Sequence, residues 1–250
     1  MIALVTGATA GFGEAIAHRL VKEGIKVIAA GRRSERLAKL QQELGRDKLH
    51  TLTLDVRDRK AVERAIEQLP AELSAIDVLV NNAGLALGLE MAPRAVLDDW
   101  ENMVDTNIKG VLFLTRKILP GMVERNRGHV VNISSIAGSW PYPGGNVYCS
   151  SKAFVQQFSR TLRADLIGTQ VRVTDIAPGM VAGTEFAPVR FHGDTARALK
   201  NYEGADPMMP EDIADTVYWA ISRPARVNIN AIEVMPVCQA WSAMTIYRKK

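Results

Sequence analysis

Short runs of Val, Ile and Leu alternate with amphipathic stretches from one end of this 250-residue chain to the other, and no other feature restricts its fold so strongly. Seven runs, at 2–6, 26–30, 49–54, 76–80, 129–133, 171–176 and 231–235, have the length and composition of buried strands, most of them bounded by Gly, Asn, Asp or Pro. Helical patterns lie between them, at 13–23, 34–44, 58–69, 98–125, 148–167 and 210–222. Ser34 is placed to cap the second helix, Gly24 and Gly45 to close the first two, and Pro210 to enter a first turn. Strands joined through helices run parallel with right-handed crossovers, and both faces of the sheet are then covered. The expectation is an α/β fold in a single domain spanning 1–250. One stretch, 179–209, lacks clear periodicity. A loop that long inside a compact domain reads as a functional flap, a lid or a partly helical mobile segment.

Composition narrows the class. The chain is 47% hydrophobic and 23% charged, as packed globular proteins are. Its 31 basic and 27 acidic residues give a net charge of +4, spread along the sequence. Only Arg32–Arg33 and the terminal Arg248–Lys250 cluster, which is too little for a nucleic-acid-binding stripe and enough for a mildly basic cleft that takes an anion. Two cysteines, Cys149 and Cys238, read as reduced intracellular thiols, and the four scattered histidines show no metal-ligand spacing. The start MIALVTG already reads as a strand entering a loop, leaving no room for a targeting peptide, and the apolar runs fall short of the roughly 18 residues a membrane span needs. A cytoplasmic protein is expected.

The first strand runs into Thr6-Gly7-Ala8-Thr9-Ala10-Gly11-Phe12-Gly13, and a helix follows at once. Glycines there permit a sharp turn and close approach of the backbone to a pyrophosphate, which the helix N-terminus attracts through free N–H groups and its dipole. A glycine pattern alone is weak; between a strand and a helix it gains weight as a dinucleotide loop, and the expected fold becomes a Rossmann-type doubly wound parallel sheet of about seven strands. An acidic residue about 20 positions on would hold a ribose 2′-hydroxyl. Here the second strand ends at Gly31-Arg32-Arg33 instead. Guanidinium groups grip a 2′-phosphate through charge-assisted hydrogen bonds, so the cofactor reads as NADP(H), with solvated turn arginines as the bland alternative. Asp55-Val56 follows the third strand, where the carboxylate can accept from the adenine amine. Asn82-Ala83-Gly84 follows the fourth, small enough to let the cofactor pass.

Tyr148 and Lys152 stand four apart at the start of a helical pattern and so share a face. A phenol ionises near pH ~10, and a neighbouring cation plus an oxidised nicotinamide ring would favour the phenolate, bringing it towards the useful range for acid–base work. Cys149 points away from Tyr148 and reads as packing.

With this pair the motifs fall in one order: TGATAGFG at 6–13, DV at 55–56, NNAG at 81–84, Asn107, Ser135, YCSSK at 148–152 and PG at 178–179. The set resembles the short-chain dehydrogenase/reductase family over nearly the whole chain. That resemblance implies Tyr148 as acid/base, Lys152 as the group that lowers its pKa and binds the nicotinamide ribose, and Asn107 as holder of a relay water. Two serines compete to polarise the carbonyl, Ser134 and Ser135; the family serine lies thirteen before the tyrosine, which selects Ser135. Pro178, Gly179 and Val181 would border the cofactor. The family threonine that meets the nicotinamide amide falls at Gly183 here, and Thr184 is the substitute. A homotetramer is also implied, with long helices and the C-terminal segment at its interfaces.

GRRSERL at 31–37, GSWPYPGGNVY at 138–148, PGMVAGTEF at 178–186, VRF at 189–191 and VNINAIEVMP at 227–236 look like the NADP-dependent 3-hydroxy acid dehydrogenases, among them serine or allo-threonine dehydrogenases and malonic semialdehyde reductases. The substrate implied is a small 3-hydroxy or 3-oxo acid, and Arg190 in the flap is the candidate to hold its carboxylate, a surface arginine being the alternative. Competing readings are a reductase for other ketones, sugars or acyl-carrier thioesters, and a cofactor sensor without chemistry, although sensors typically lose the tyrosine or lysine. A hydrolase on Ser135 lacks a well-placed histidine, since the nearest, His129, sits in a strand.

Overall fold

In the computed structural model, which describes residues 1–200 and 202–241, seven strands form one parallel sheet in the order β3-β2-β1-β4-β5-β6-β7. They are β1 (Ile2–Thr6), β2 (Lys26–Gly31), β3 (Leu49–Thr53), β4 (Val78–Asn81), β5 (Gly128–Ile133), β6 (Val171–Pro178) and β7 (Ala231–Val234). The helices are α1 (Gly11–Lys22), α2 (Ser34–Leu44), α3 (Arg59–Glu67), α4 (Leu97–Val104), α5 (Gly110–Glu124), α6 (Asn146–Asp165), α7 (Phe186–Arg190), α8 (Thr195–Lys200) and α9 (Pro210–Ile221). This is the doubly wound Rossmann-type sheet expected. The strand order reverses between β1 and β4, so the crevice that receives a ligand in such sheets opens beyond their carboxyl ends.

Alternation within the strands explains why both faces hold helices. Ala3, Val5, Val27, Ala29, Val78, Val80 and Val131 point to one side, where they pack with Ile16, Leu20 and Val217 of α1 and α9. Leu4, Ile28, Leu79 and Val130 point to the other, against Val62, Leu114, Ile118 and Leu162 of α3, α5 and α6. At about 1.5–3 kcal/mol per buried large apolar side chain, these two layers dominate the stability of the sheet.

Local signals hold in most places. Pro210 occupies the first turn of α9, and Gly45 closes α2 at φ 96°. Ser34 does not cap α2: it is the first helical residue, and Arg33 takes the cap position without a side-chain hydrogen bond. The helix expected over 98–125 is α4 and α5 joined by a π-helical turn, Asp105–Lys109. The seventh run is not a buried strand. β7 lies at the edge of the sheet, with Ala231 and Glu233 exposed. A strand with one neighbour buries less of its surface than composition alone suggests. The aperiodic stretch 179–209 contains α7 and α8, and a bridge between Val181 and Met208 joins its two ends. Arg248–Lys250 and the end of the C-terminal segment lie outside the described residues. Among the described residues no helix is long and apolar enough to cross a membrane.

Candidate functional site

Two loops at the reversal point build the floor of a cleft of about 300 Å³. Gly7 takes φ 66°, and a Cβ on Gly13 would lie 2.3 Å from the carbonyl oxygen of Gly7, so the turn from β1 into α1 closes only with glycine. Thr6 lies beneath this turn. Its hydroxyl accepts from the N–H groups of Asn82 and Ala83, both at 2.9 Å, and donates to the Val80 carbonyl, while the Asn82 amide donates to the Thr6 carbonyl at 2.8 Å. Thr6 and Gly13, expected at the cofactor, shape the loop without lining the cleft; Gly7, Gly11, Phe12, Asn82, Ala83 and Gly84 line it. Behind them Asn81 donates to Thr115 at 3.0 Å and to Asn132 at 2.8 Å, and Asn132 donates to Ser159. This buried polar network fixes the end of β4, and sequence patterns gave no sign of it.

At one end of the cleft lie Arg32, Arg33, Asp55 and Val56. Arg33 donates from Nε and Nη2 to the Thr9 hydroxyl at 3.2 and 3.0 Å, and from Nη1 to Glu185 at 2.7 Å. Arg36, one turn along α2, donates to the same carboxylate at 2.8 Å. Burial alone would raise the Glu185 carboxyl, but the two arginines hold it below its ordinary value. Arg36 and Glu185 escaped the sequence reading, although Arg36 stands three residues from Arg33 on one helix face. Asp55 is clasped by Arg57, whose Nε and Nη2 lie 2.6–3.1 Å from its oxygens; that hydrogen bonding holds its carboxyl below the usual range. Arg32 and Arg33 in the cleft wall, with Arg36 joined to Arg33 through Glu185, fit a phosphate monoester, and the small-residue loop facing α1 fits a pyrophosphate.

At the other end Tyr148 and Lys152 rise from the first turns of α6, both buried. Lys152 Nζ donates to the Ile133 carbonyl at 2.9 Å and lies 5.9 Å from the Tyr148 ring centroid. Burial brings the lysine down to about 8, with the nearby Asp175 carboxylate pulling upward. Burial pushes the Tyr148 phenol up, well above its ordinary value, and a hydrogen bond with Ser135 and the charge of Arg190 only partly offset it. The lowered phenol expected from Lys152 is therefore not found among the protein groups by themselves: in a buried site desolvation outweighs them. Asp175, buried in β6, is pushed up to about 6 by burial, with the Ser134 hydrogen bond and Lys152 pulling down; its Oδ1 has no partner among the described residues. Ser134 Oγ donates to the Ile176 carbonyl at 3.3 Å, whereas Ser135 Oγ donates to the Pro178 carbonyl at 3.4 Å and accepts from the Ala137 N–H at 3.1 Å.

Asn107 sits in the π-helical turn, the kind of helix defect that gathers at functional sites. Both of its amide hydrogens are used: Nδ2 donates to the Leu85 carbonyl and the Ser151 hydroxyl at 2.8 and 3.0 Å, while Oδ1 accepts from Leu85 N–H at 2.9 Å. Cys149 is buried in the apolar cluster around Tyr148, in keeping with a packing role. His129 is buried in β5, bonded to Thr174 at 2.7 Å, and desolvation brings it down to about 3; it faces the sheet interior, away from Ser135 chemistry.

Beyond Tyr148 a second cavity of about 470 Å³ opens, lined by Ser135, Tyr142, Pro178, Gly179, Val181 and Arg190 among others; Tyr148, Thr184 and Phe186 border both cavities. Pro178, Gly179 and Val181, expected at the cofactor, thus line the neighbouring cavity. Thr184 packs against Gly11, its Cγ2 3.1 Å from where a Cβ would stand. Arg190, at the end of α7, lies 5.3 Å from the Tyr142 ring and 5.7 Å from the Tyr148 ring, and its Nε donates to the Gly88 carbonyl at 3.1 Å. Its Nη2 is buried with no partner among the described residues, so Arg190 is not a surface arginine. Among the described residues no three His, Cys, Asp or Glu side chains are grouped to hold a metal ion.

A crevice at the strand-order reversal, a glycine turn beneath it and a Tyr–Lys pair at its far end define a nucleotide-dependent dehydrogenase site. Residues 1–194 match the short chain dehydrogenase family, and the chain belongs to it. It is 60% identical to the NADP-dependent 3-hydroxy acid dehydrogenase YdfG of Salmonella typhi over 248 residues, covering 99% of this chain and 100% of that protein. It is 51% identical to sulfoacetaldehyde reductase 2 of Chromohalobacter salexigens, covering 99% and 98%. The closed form of a serine dehydrogenase complexed with NADP+ superposes with a TM-score of 0.98 at 58% identity, covering both chains in full.

Proposed function

We propose that this chain is an NADP-dependent dehydrogenase that moves hydride to or from the 3-position of small 3-hydroxy or 3-oxo acids such as serine, allo-threonine and 3-hydroxypropionate or malonic semialdehyde. The observation that carries the reading is the convergence of Ser135, Tyr148 and Arg190 on one cavity that meets the nucleotide cleft at Tyr148. The relatives, named for NADP and for 3-hydroxy acid or serine oxidation, support it.

NADP(H) would lie with its 2′-phosphate at Arg32 and Arg33, its adenine near Asp55 and Val56, its pyrophosphate over Gly7, Gly11 and Phe12, and its nicotinamide end towards Asn82, Ala83, Gly84, Lys152 and Thr184, with Pro178, Gly179 and Val181 at the edge. When bound, the cofactor supplies the hydride donor or acceptor carbon. Arg190 offers its free N–H to the substrate carboxylate, in a buried place where such a pair is strong. The sulfoacetaldehyde reductase relative suits the same logic, because a sulfonate presents a similar anion. Ser135 and Tyr148 donate hydrogen bonds to the carbonyl oxygen and stabilise the charge that develops on it. Tyr148 delivers the proton in reduction and takes it in oxidation. Lys152 supplies positive charge beside the phenol and a donor for the ribose. Asn107 would hold the relay water, its Oδ1 having one acceptor site left beside the Leu85 N–H.

The reading extends to the whole chain: one catalytic domain, 1–250, with 179–209 as a substrate flap, working in the cytoplasm as a homotetramer.

The test is turnover of a panel of 3-hydroxy acids with NADP+ and NAD+, repeated for Tyr148→Phe. We expect NADP+-dependent oxidation that falls at least ~100-fold in the variant, the scale of a lost acid–base group, while NADP+ affinity stays within threefold. Full activity in Tyr148→Phe would sink the mechanism. Turnover of other alcohols but of no 3-hydroxy acid would move the substrate to another carbonyl class.

A further inference from the structure

Two acidic residues stand in a pocket otherwise arranged for an anion: Asp55, neutralised by its neighbour Arg57, and Glu185. The Glu185 carboxylate bridges Arg33 and Arg36, at 2.7 and 2.8 Å. Both arginines also lean on Thr9 of the glycine turn: Arg33 binds its hydroxyl and carbonyl, and Arg36 its carbonyl at 3.4 Å. The glycine turn, the start of α2 and the flap therefore meet in one polar cluster. Charge makes the arrangement intelligible. Arg32, Arg33 and Arg36 bring three positive charges, a phosphate monoester about two negative ones, and Glu185 the third. The cluster can hold a 2′-phosphate and the flap carboxylate together.

Glu185 is also placed to act at a distance. Thr184, before it, packs on Gly11, and Phe186, after it, lies 5.7 Å from the Tyr148 ring. It forms the N-cap of α7, whose last residue is Arg190. A helix rises about 1.5 Å per residue, so anchoring Glu185 fixes Arg190 some 7–8 Å further on.

We propose that Glu185 is a positioning residue, an ionic latch that docks the flap onto the arginines of the 2′-phosphate pocket and so sets Phe186 and Arg190 over the substrate cavity. The proposal rests on the reading of 179–209 as the substrate flap. Arg33 and Arg36 then serve two tasks, cofactor selection on one side and flap closure on the other.

The experiment is a double-mutant cycle of Glu185→Gln and Arg36→Gln in the full enzyme, read as KM and kcat for the 3-hydroxy acid, Kd for NADP+, and hydrogen exchange of 185–191 with NADP+ bound. Partly exposed ion pairs have modest effects individually, so the expected change is about five- to tenfold. Glu185→Gln should raise the acid KM by that factor and speed exchange across α7, with NADP+ Kd altered less than threefold. Arg36→Gln should raise the acid KM similarly, and the double variant should be no worse than Glu185→Gln alone, because the two share one interaction. Additive losses in KM, or exchange across α7 unchanged in Glu185→Gln, would overturn the latch. So would a loss of NADP+ affinity in Glu185→Gln matching the whole KM effect. If the unaltered enzyme turns over no 3-hydroxy acid, the substrate reading fails by itself, and exchange across α7 still decides the latch.

Discussion

Asp175 and Lys152 show how burial sets charge in this site. Asp175 is pushed up to about 6, from an ordinary value of 3.8. Below about pH 4 the carboxyl is protonated folded or unfolded and costs nothing. As pH rises, the unfolded chain ionises first, so the native state loses stability until the folded carboxyl has ionised too, above pH 6. Asp175→Asn removes that penalty, on the order of 3 kcal/mol for a shift of this size. We expect the variant to melt a few degrees higher than the parent at pH 7, the gap closing by pH 4, in thermal scans across that range. Lys152 loses its countercharge in the same variant, so the ammonium should titrate below its present value of about 8. Arg33→Ala removes a guanidinium from the proposed phosphate pocket, and KM for NADP+ should rise at least ~10-fold while that for NAD+ changes little, each charge-assisted hydrogen bond being worth about 1.5–3 kcal/mol.

At the scale of elements, the β1–α1 turn is the most constrained piece. A methyl group on Gly13 would stand 2.3 Å from the Gly7 carbonyl oxygen and 2.7 Å from the Asn82 amide, both held by the hydrogen bonds that join the two loops. Gly13→Ala must push the turn and the Asn82 loop apart. We expect NADP+ affinity to fall at least ~10-fold, with a loss of stability of about 1–3 kcal/mol typical of overpacking, measured by titration calorimetry and denaturant unfolding. The π-helical turn at Asp105–Lys109 is constrained in a different way. The Asn107 amide reaches three groups on the β4 loop and α6. An Asn107→Ala enzyme leaves the Leu85 N–H and carbonyl without those partners, so activity should drop even with Tyr148, Lys152 and Ser135 intact.

For the whole molecule, the sheet ties the pieces together. Two apolar layers share six of the seven strands, β1 to β6, and both ends of the cleft hang from the same strand termini. The proposed single domain predicts one cooperative melting transition, which calorimetry tests by comparing calorimetric and van't Hoff enthalpies. NADP+ at 100 times its Kd should add about 2.7 kcal/mol, roughly 5–10 °C for a chain of this size, and NAD+ at the same concentration much less. The exposed edge strand β7, with Trp140 and Trp241 both bonded to Glu233, suits the proposed homotetramer, and sedimentation tests it. A single species at four times the 27.4 kDa chain mass is the expected outcome.

By itself the sequence determined the sheet, because continuous Val-, Ile- and Leu-rich runs separated by amphipathic helical segments are buried on both faces in a parallel sheet. It also determined the glycine turn, the Tyr148–Lys152 pair and Arg32–Arg33, because each depends on short-range spacing that a single chain segment carries. Tertiary structure alone decided which neighbours compete for those groups. Glu185 meets Arg33 across 152 positions, Asn81 meets Asn132 across 51, and Ser134 meets the Ile176 carbonyl across 42 while Ser135 meets that of Pro178 across 43. The direction of the Tyr148 pKa belonged to tertiary structure as well. Desolvation depends on everything packed around the phenol, and no spacing within α6 reports how completely water has been removed.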